Sequence, residues 1–407
     1  MRIAIVTVAG YVHGIGGMQA HTADLARGLA ERGHEVEVIT ARHPRGLEVA
    51  EYEGNRWHFV PVPTRYERLP MRHRAWLRAS AKKFEQLHAA RPFDVVHSES
   101  TSALGLLRRG VHRRVATAVK FHGNYLGLVA AALGRARRGD GAQRIAEAKH
   151  IVWVTGGHFI PPGGVYRFRA CEAMVASRQQ LRGTRWSFVL DPARMHVVPN
   201  GIDIRRFQPR PQAAARSKLG LDGGAIVLCV GRLAGPKGFD HAIAALRDLA
   251  AARLVIVGEG HDRGALETLA AGLGVSDRVL FAGAHPPDVV ATYMAAADLF
   301  LFPTEYEEPA PVVLPEAMAC GLPVIAADIG GIAEVIDRPG ENGILVPPGA
   351  VDPLVGAAAS LLADAAARRR MGEAARRRVE EAYTMELMVE RTLAIYEIAR
   401  RRLMGAQ

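Results

Sequence analysis

The chain has 407 residues, of which 49% are hydrophobic and 23% charged, with a formal net charge of +11 and three cysteines. That length accommodates two domains, each with its own core, and that balance excludes a largely disordered or a disulfide-stapled protein. No apolar run approaches the roughly 20 residues a membrane-spanning helix requires.

The first element is a strand beginning at Ile3, Ile5 and Val6; this run is too short for the core of a secretion signal, so a reducing cytoplasmic location is expected. A turn with Gly14, Gly16 and Gly17 leads into a helix that carries Met18, Leu25, Ala26, Leu29 and Ala30 at helical spacing. Gly33 stops it, and Val36, Val38 and Ile39 resume a strand. Leu69 to Arg91 reads as an amphipathic helix, with Met71, Trp76, Phe84 and Leu87 among basic residues. A core-facing helix with a basic outer face accounts for it better than a membrane-surface helix does. Short strands follow at Val95–Val96, from Val115 to Phe121, and at Val197–Val198. Val198-Pro199-Asn200-Gly201-Ile202-Asp203 marks a turn suited to a hinge. Beyond it, apolar strands at Ile226–Val230, Leu254–Val257, Val279–Phe281, Leu299–Phe302, Val324–Ala326 and Ile344–Val346 alternate with helical patterns. This alternation implies a second α/β half with a mostly parallel sheet. A last helix, from Met385 to Leu403, follows after that sheet is complete.

Charge is unevenly placed. Residues 65–144 hold 17 Lys and Arg against 5 Asp and Glu, which leaves the rest of the chain near neutral. Such a field favours an anionic partner, whether phospholipid head groups, a lipid-phosphate-linked acceptor or nucleic acid, although a solvated Arg-rich surface fits equally well. Cys171, Cys229 and Cys320 are too far apart to suggest a metal cluster.

Several nucleotide motifs are excluded by spacing. Gly14-Ile15-Gly16-Gly17 is not the dinucleotide-binding pattern, and Lys237 lies between Pro236 and Gly238 rather than in a phosphate loop. Ligands in parallel α/β sheets sit beyond the carboxyl ends of the strands. There the second half offers Arg232 and Lys237, two cations able to stabilise a diphosphate leaving group. Glu308 and Glu316 flank an apolar, Pro-rich loop running into a helix, whose unpaired N–H groups suit phosphate.

The order and spacing of these residues resemble glycosyltransferase family 4, retaining enzymes of the GT-B class. The resemblance runs through Gly16-Gly17-Met18-Gln19-Ala20-His21, Gly33-His34-Glu35-Val36, Phe121-His122-Gly123 and the hinge. It continues through Gly231-Arg232 with Lys237-Gly238, Glu308 and Glu316, Gly330-Gly331 with Glu334, and Asn342-Gly343. It implies an α/β fold of two Rossmann-like doubly wound domains facing across a cleft. These would be residues 1–197, joined by the returning helix 385–407, and 204–384, with the nucleotide-sugar in the latter. It further implies that Arg232 and Lys237 bind the pyrophosphate and that Glu316 holds the ribose hydroxyls. Glu308 and His122 would meet the donor sugar, and Gly16 and Gly17 would let the backbone approach the donor phosphate. The donor, a UDP- or GDP-sugar, is then a co-substrate, and neither a cofactor nor a metal is expected, since no Asp-x-Asp occurs. The acceptor would be a small molecule, a glycan or a lipid-linked molecule, with peripheral contact to an anionic membrane compatible with the basic stretch and no nucleic acid.

Two departures from the family pattern stand out. Pro309-Ala310-Pro311 replaces a Gly-rich segment, so sugar-binding N–H groups must come from Ala310 and Val312 or Val313, or else Pro311 starts the helix. Pro161-Pro162-Gly163-Gly164 has no counterpart. The competing readings are a nucleotide-sugar epimerase on the same architecture and a non-catalytic protein that binds an anionic ligand.

Overall fold

The computed structural model describes residues 1–14, 16–64, 70–123, 165–188, 190–221, 223–235 and 237–405. Pro161 to Gly164 and part of the basic stretch lie outside the described residues. The chain folds into two compact units, Met1–Gly201 with Met385–Gln407, and Ile202–Thr384.

The first unit contains β1 (Arg2–Val6), β2 (Glu35–Thr40), β3 (Val49–Tyr52), β4 (Asn55–Phe59), β5 (Val95–Glu99), β6 (Ala116–Lys120), β7 (Glu172–Val175) and β8 (Met195–Val197). They form one sheet in the order β3-β4-β2-β1-β5-β6-β7-β8, in which only β3 runs antiparallel to its neighbour. Every residue of β1 is buried, as a strand covered on both faces requires. Its side chains alternate between two cores. Ala4 and Val6 pack with Val96, Val119, Trp76 and Phe84, while Ile3 and Ile5 pack with Leu25, Leu29, Met388, Val389 and Tyr396. The helix Pro70–Ala90 thus buries Trp76 and Phe84 and turns Arg74, Arg78 and Lys82 outward at four-residue intervals. The helices Gly17–Glu31 and Met385–Met404 cover the other face, so the last helix of the chain belongs to the first unit.

The second unit is the simpler of the two. Its strands are β9 (Ala225–Val230), β10 (Ala252–Val257), β11 (Val279–Gly283), β12 (Leu299–Phe302), β13 (Val324–Ala327) and β14 (Ile344–Val346). They make a wholly parallel sheet in the order β11-β10-β9-β12-β13-β14. Ile226, Leu228, Phe300 and Phe302 fill one core, and Val227, Cys229, Leu299 and Leu301 the other.

Parallel strands joined by helices wind outward from the first strand in one direction and then in the other. In the first unit the winding reverses between β1 and β5, and in the second between β9 and β12. At such a reversal the two connections leave on opposite faces and open a crevice beyond the carboxyl ends. No described helix is long and apolar enough to cross a membrane.

Candidate functional site

The reversal point of the second unit gathers most of the residues singled out in the sequence. The loop after β9 carries Arg232 and Lys237, and the loop after β12 carries Glu308. The two loops are tightly packed. Gly238 has φ +74°, and a Cβ there would stand 1.8 Å from the carbonyl oxygen of Pro303, so only glycine fits. The first loop is also pinned to the loop after β10: Leu233 N–H donates to Glu259 O at 3.0 Å and Gly235 N–H to Asp262 Oδ2 at 2.8 Å. Across this junction the Lys237 ammonium forms an ion pair with the Glu308 carboxylate, both side chains being half-buried. Glu308 is fixed from the far side by Gly331, whose N–H donates to its carbonyl at 2.8 Å. Arg232 is exposed, and its guanidinium has no hydrogen bond among the described residues. Of the two cations singled out in the sequence, Lys237 is paired with Glu308, and Arg232 is exposed on the same loop.

Glu316 lies in the short helix Val313–Ala319. Leu314, Pro315, Ala317 and Met318 are buried, whereas Val312, Val313 and Glu316 are half-buried on a common side. Pro311 does not start this helix: it lies two residues before Val313, and Val312 occupies the cap position with no capping side chain. The chain bends at Pro309 and Ala310 before it turns helical, consistent with the bias of proline against a helical residue before it. The N–H groups of Val312, Val313 and Leu314 precede the first helical bond, from Glu316 N–H to Val312 O at 3.1 Å. They are the unpaired donors of a helix start, and Pro315 contributes none.

In the first unit the corresponding crevice holds a buried polar cluster. Gly16 is extended at φ −169° and caps the helix Gly17–Glu31 without a side chain, and no acidic residue occupies the first turn. That leaves a positively polarised helix start with no capping side-chain bond. One turn along the helix, His21 turns into the unit and meets Glu99 at the end of β5 and His122 just beyond β6. Glu99 is fully buried, and it hydrogen-bonds directly with His122 Nε2 through one oxygen. Its other oxygen stands 3.7 Å from His21 Nε2 and 3.4 Å from His97 Nε2. The rings of His21 and His122 meet edge to face at 4.9 Å. His21, Glu99 and His122 present ligand-type atoms within 4.8 Å of one another, but the direct Glu99–His122 bond occupies the space an ion would take between those two. Sequence reasoning singled out His122 and missed Glu99 and His97. The one available signal was a carboxylate closing an apolar strand, Val95-Val96-His97-Ser98-Glu99.

Charge in this cluster is settled by burial against proximity. The surrounding histidines, His21 first, hold the Glu99 carboxyl well below the usual carboxylate range despite its desolvation. Burial pushes the His21 imidazole well below its ordinary value, against the attraction of Glu99. Burial also lowers the Lys120 ammonium to about 7, while its Nζ donates to Val198 O. A histidine whose value is lower in the folded chain than in the unfolded one costs stability on acidification, because the unfolded state takes up the proton first. The free energy of unfolding is therefore expected to fall between pH 6.5 and 5. A single such group contributes up to about 1.4 kcal/mol per pH unit. Replacing His21 with Asn should make the fall shallower in urea titrations at pH 7.5, 6 and 5. Parallel pH profiles for the two proteins would remove His21 as a source.

Comparison with known proteins bears on the family and the fold. Residues 15–206 match the model described as Glycosyltransferase Family 4, and residues 211–378 match that of Glycosyl transferases group 1. A D-inositol 3-phosphate glycosyltransferase of Acidothermus cellulolyticus is 30% identical over 81% of this chain and 74% of its own length. Sucrose-phosphate synthase of Thermosynechococcus elongatus superimposes with a TM-score of 0.79 at 25% identity, over 100% of both chains. HepE of Anabaena, solved in complex with UDP, gives a TM-score of 0.72 at 19% identity, over 97% of this chain and 99% of its own. The chain is thus a glycosyl-transferring enzyme with the doubly wound domains of the GT-B class, and it belongs to glycosyltransferase family 4.

Proposed function

We propose that the protein transfers a sugar from a nucleoside-diphosphate sugar to an acceptor hydroxyl, with retention at the anomeric carbon and without a metal ion. The observation that carries this reading is the reversal point of the second unit, where Lys237 and Glu308 are paired on the loop of an exposed Arg232 and the unpaired N–H groups of Val312 to Leu314 lead to Glu316. A diphosphate needs cations and N–H donors as the glycosidic bond to it breaks; ribose and sugar hydroxyls need carboxylate acceptors. Arg232 and Lys237 would take the diphosphate, Glu316 the ribose, and Glu308 with His122 the transferred sugar. Gly16 and Gly17, at the helix start of the first unit, would serve the donor phosphate. No carboxylate is assigned as a nucleophile, so attack on the face from which the diphosphate departs is preferred, with the leaving phosphate assisting deprotonation of the acceptor. UDP in the HepE complex supports a uridine donor, with guanosine as the alternative. Three buried cysteines without a disulfide suit a reducing cytoplasm.

An acceptor linked to lipid phosphate, or an anionic membrane carrying it, is favoured by the outward row of Arg74, Arg78 and Lys82. Vesicles rich in anionic lipid should bind the protein at low salt, and binding should fall in the triple Gln variant. Equal binding by neutral and anionic vesicles would remove the membrane from this reading.

The ion pair between Lys237 and Glu308 makes a specific prediction. Glu308→Gln releases the ammonium, so free nucleoside diphosphate should bind more tightly by calorimetry while turnover falls by about 100-fold or more. Weaker diphosphate binding in this variant would mean that Lys237 does not serve the diphosphate.

The reading as a whole is tested by thermal shift and hydrolysis assays with UDP-, GDP-, ADP- and TDP-sugars, comparing wild type with Glu316→Ala. One donor should stabilise the wild type and leave the variant unaffected. No response to any donor would overturn the assignment.

A further inference from the structure

Behind His122 lies a chain of buried polar groups that ends in the last helix of the protein. Tyr396, fully buried in helix Met385–Met404, places its hydroxyl 2.7 Å from His97 Nδ1. Burial holds the Tyr396 phenol well above its ordinary value, so the hydroxyl keeps its proton and can donate it to Nδ1. In that tautomer His97 carries its own proton on Nε2, the nitrogen that stands 3.4 Å from Glu99 Oε1. The second oxygen of Glu99 accepts from His122 Nε2. His21 and Lys120 are the remaining titratable groups acting on this carboxylate. A buried carboxylate can only accept, so its bond to His122 places a proton of that ring on Nε2; in the neutral ring Nδ1 is then the acceptor. The His122 side chain is 15% exposed, and its Nδ1 has no partner among the described residues.

We infer that Glu99 is a positioning residue which, from its buried place beside His97, locks His122 in the Nε2–H tautomer so that its Nδ1 accepts a hydrogen bond from a substrate hydroxyl. This rests on the reading that His122 meets the sugar, and it adds the direction of that contact: the ring receives a proton rather than supplying one. The arrangement has the logic of a catalytic histidine oriented by a buried carboxylate, where an amide in place of the carboxylate leaves the geometry intact and installs the wrong tautomer. A Gln at position 99 would offer its NH2 to Nε2, which must then be unprotonated, and the proton would move to the nitrogen that has to accept.

The experiment is a two-bond proton–nitrogen correlation spectrum of protein labelled with 15N-histidine, without substrate, in which His122→Asn identifies the ring signals of His122. Wild type should show the Nε2–H tautomer. Glu99→Gln should show Nδ1–H, with kcat reduced by about 100-fold or more and the donor KM within about threefold. Glu99→Asp, which keeps the charge, should retain the wild-type tautomer and recover part of the rate. An Nδ1–H tautomer in wild type overturns the inference, as does an unchanged tautomer and rate in Glu99→Gln. If Glu99→Gln does not fold, the wild-type spectrum and Glu99→Asp decide the matter. Since the tautomer is read without substrate, a wrong functional assignment would show separately, as the expected tautomer in a protein that turns over no nucleotide-sugar.

Discussion

Each unit of this enzyme depends on a parallel sheet buried on both faces. Such a sheet can be closed only by crossover helices, and the helices must leave the central strand in opposite directions. Everything that can do chemistry is collected where that divergence leaves strand ends uncovered. In the second unit the divergence lies between β9 and β12, and the Lys237–Glu308 pair spans it. In the first it lies between β1 and β5, and the start of helix Gly17–Glu31 and the Glu99 cluster occupy it. The polar groups lie where the winding rule leaves them room.

The two crevices solve the problem of buried charge differently. In the second unit a carboxylate and an ammonium neutralise each other at the edge of solvent, within reach of an incoming anion. In the first, Glu99 is sealed from water and compensated by imidazoles rather than by a single fixed cation. An unpaired buried carboxylate would be costly, and here one oxygen is bonded to His122 while the rings of His21 and His97 stand close to the other. The former arrangement exchanges partners readily; the latter orients a ring and holds it.

Much of this was legible in the sequence because strands buried on both faces are continuous apolar runs. Ile226 to Val230 and Leu299 to Phe302 stand out for that reason. The hairpin of β3 and β4 did not, since its residues are mixed and partly exposed. Its turn, Glu53-Gly54 with φ of 50° and 75°, is the two-residue type that Gly in second place favours, and that was the usable signal. β7 escaped because Glu172 opens it with a buried carboxylate, satisfied by Arg194, His196 and Arg402 from distant parts of the chain. Glu99 escaped for the same reason: a buried acid is recognisable only once its partners are known. The start of the helix before Glu316 shifted because a proline can open a helix or precede one, and the local sequence favours neither.

The helix Met385–Met404 completes the core of the first unit, although it is the last element of the chain. During synthesis the first 201 residues therefore emerge lacking one wall, with Leu25, Leu29 and the His97 face of the sheet uncovered. The whole second unit must be translated before Tyr396 arrives. The second unit can reach its final form while the ribosome is still adding the segment that closes the first. The wall that carries Tyr396 is then added to the first unit only after the second has been made, so loss of this helix would leave the second unit whole and strip the first of the residue that meets His97.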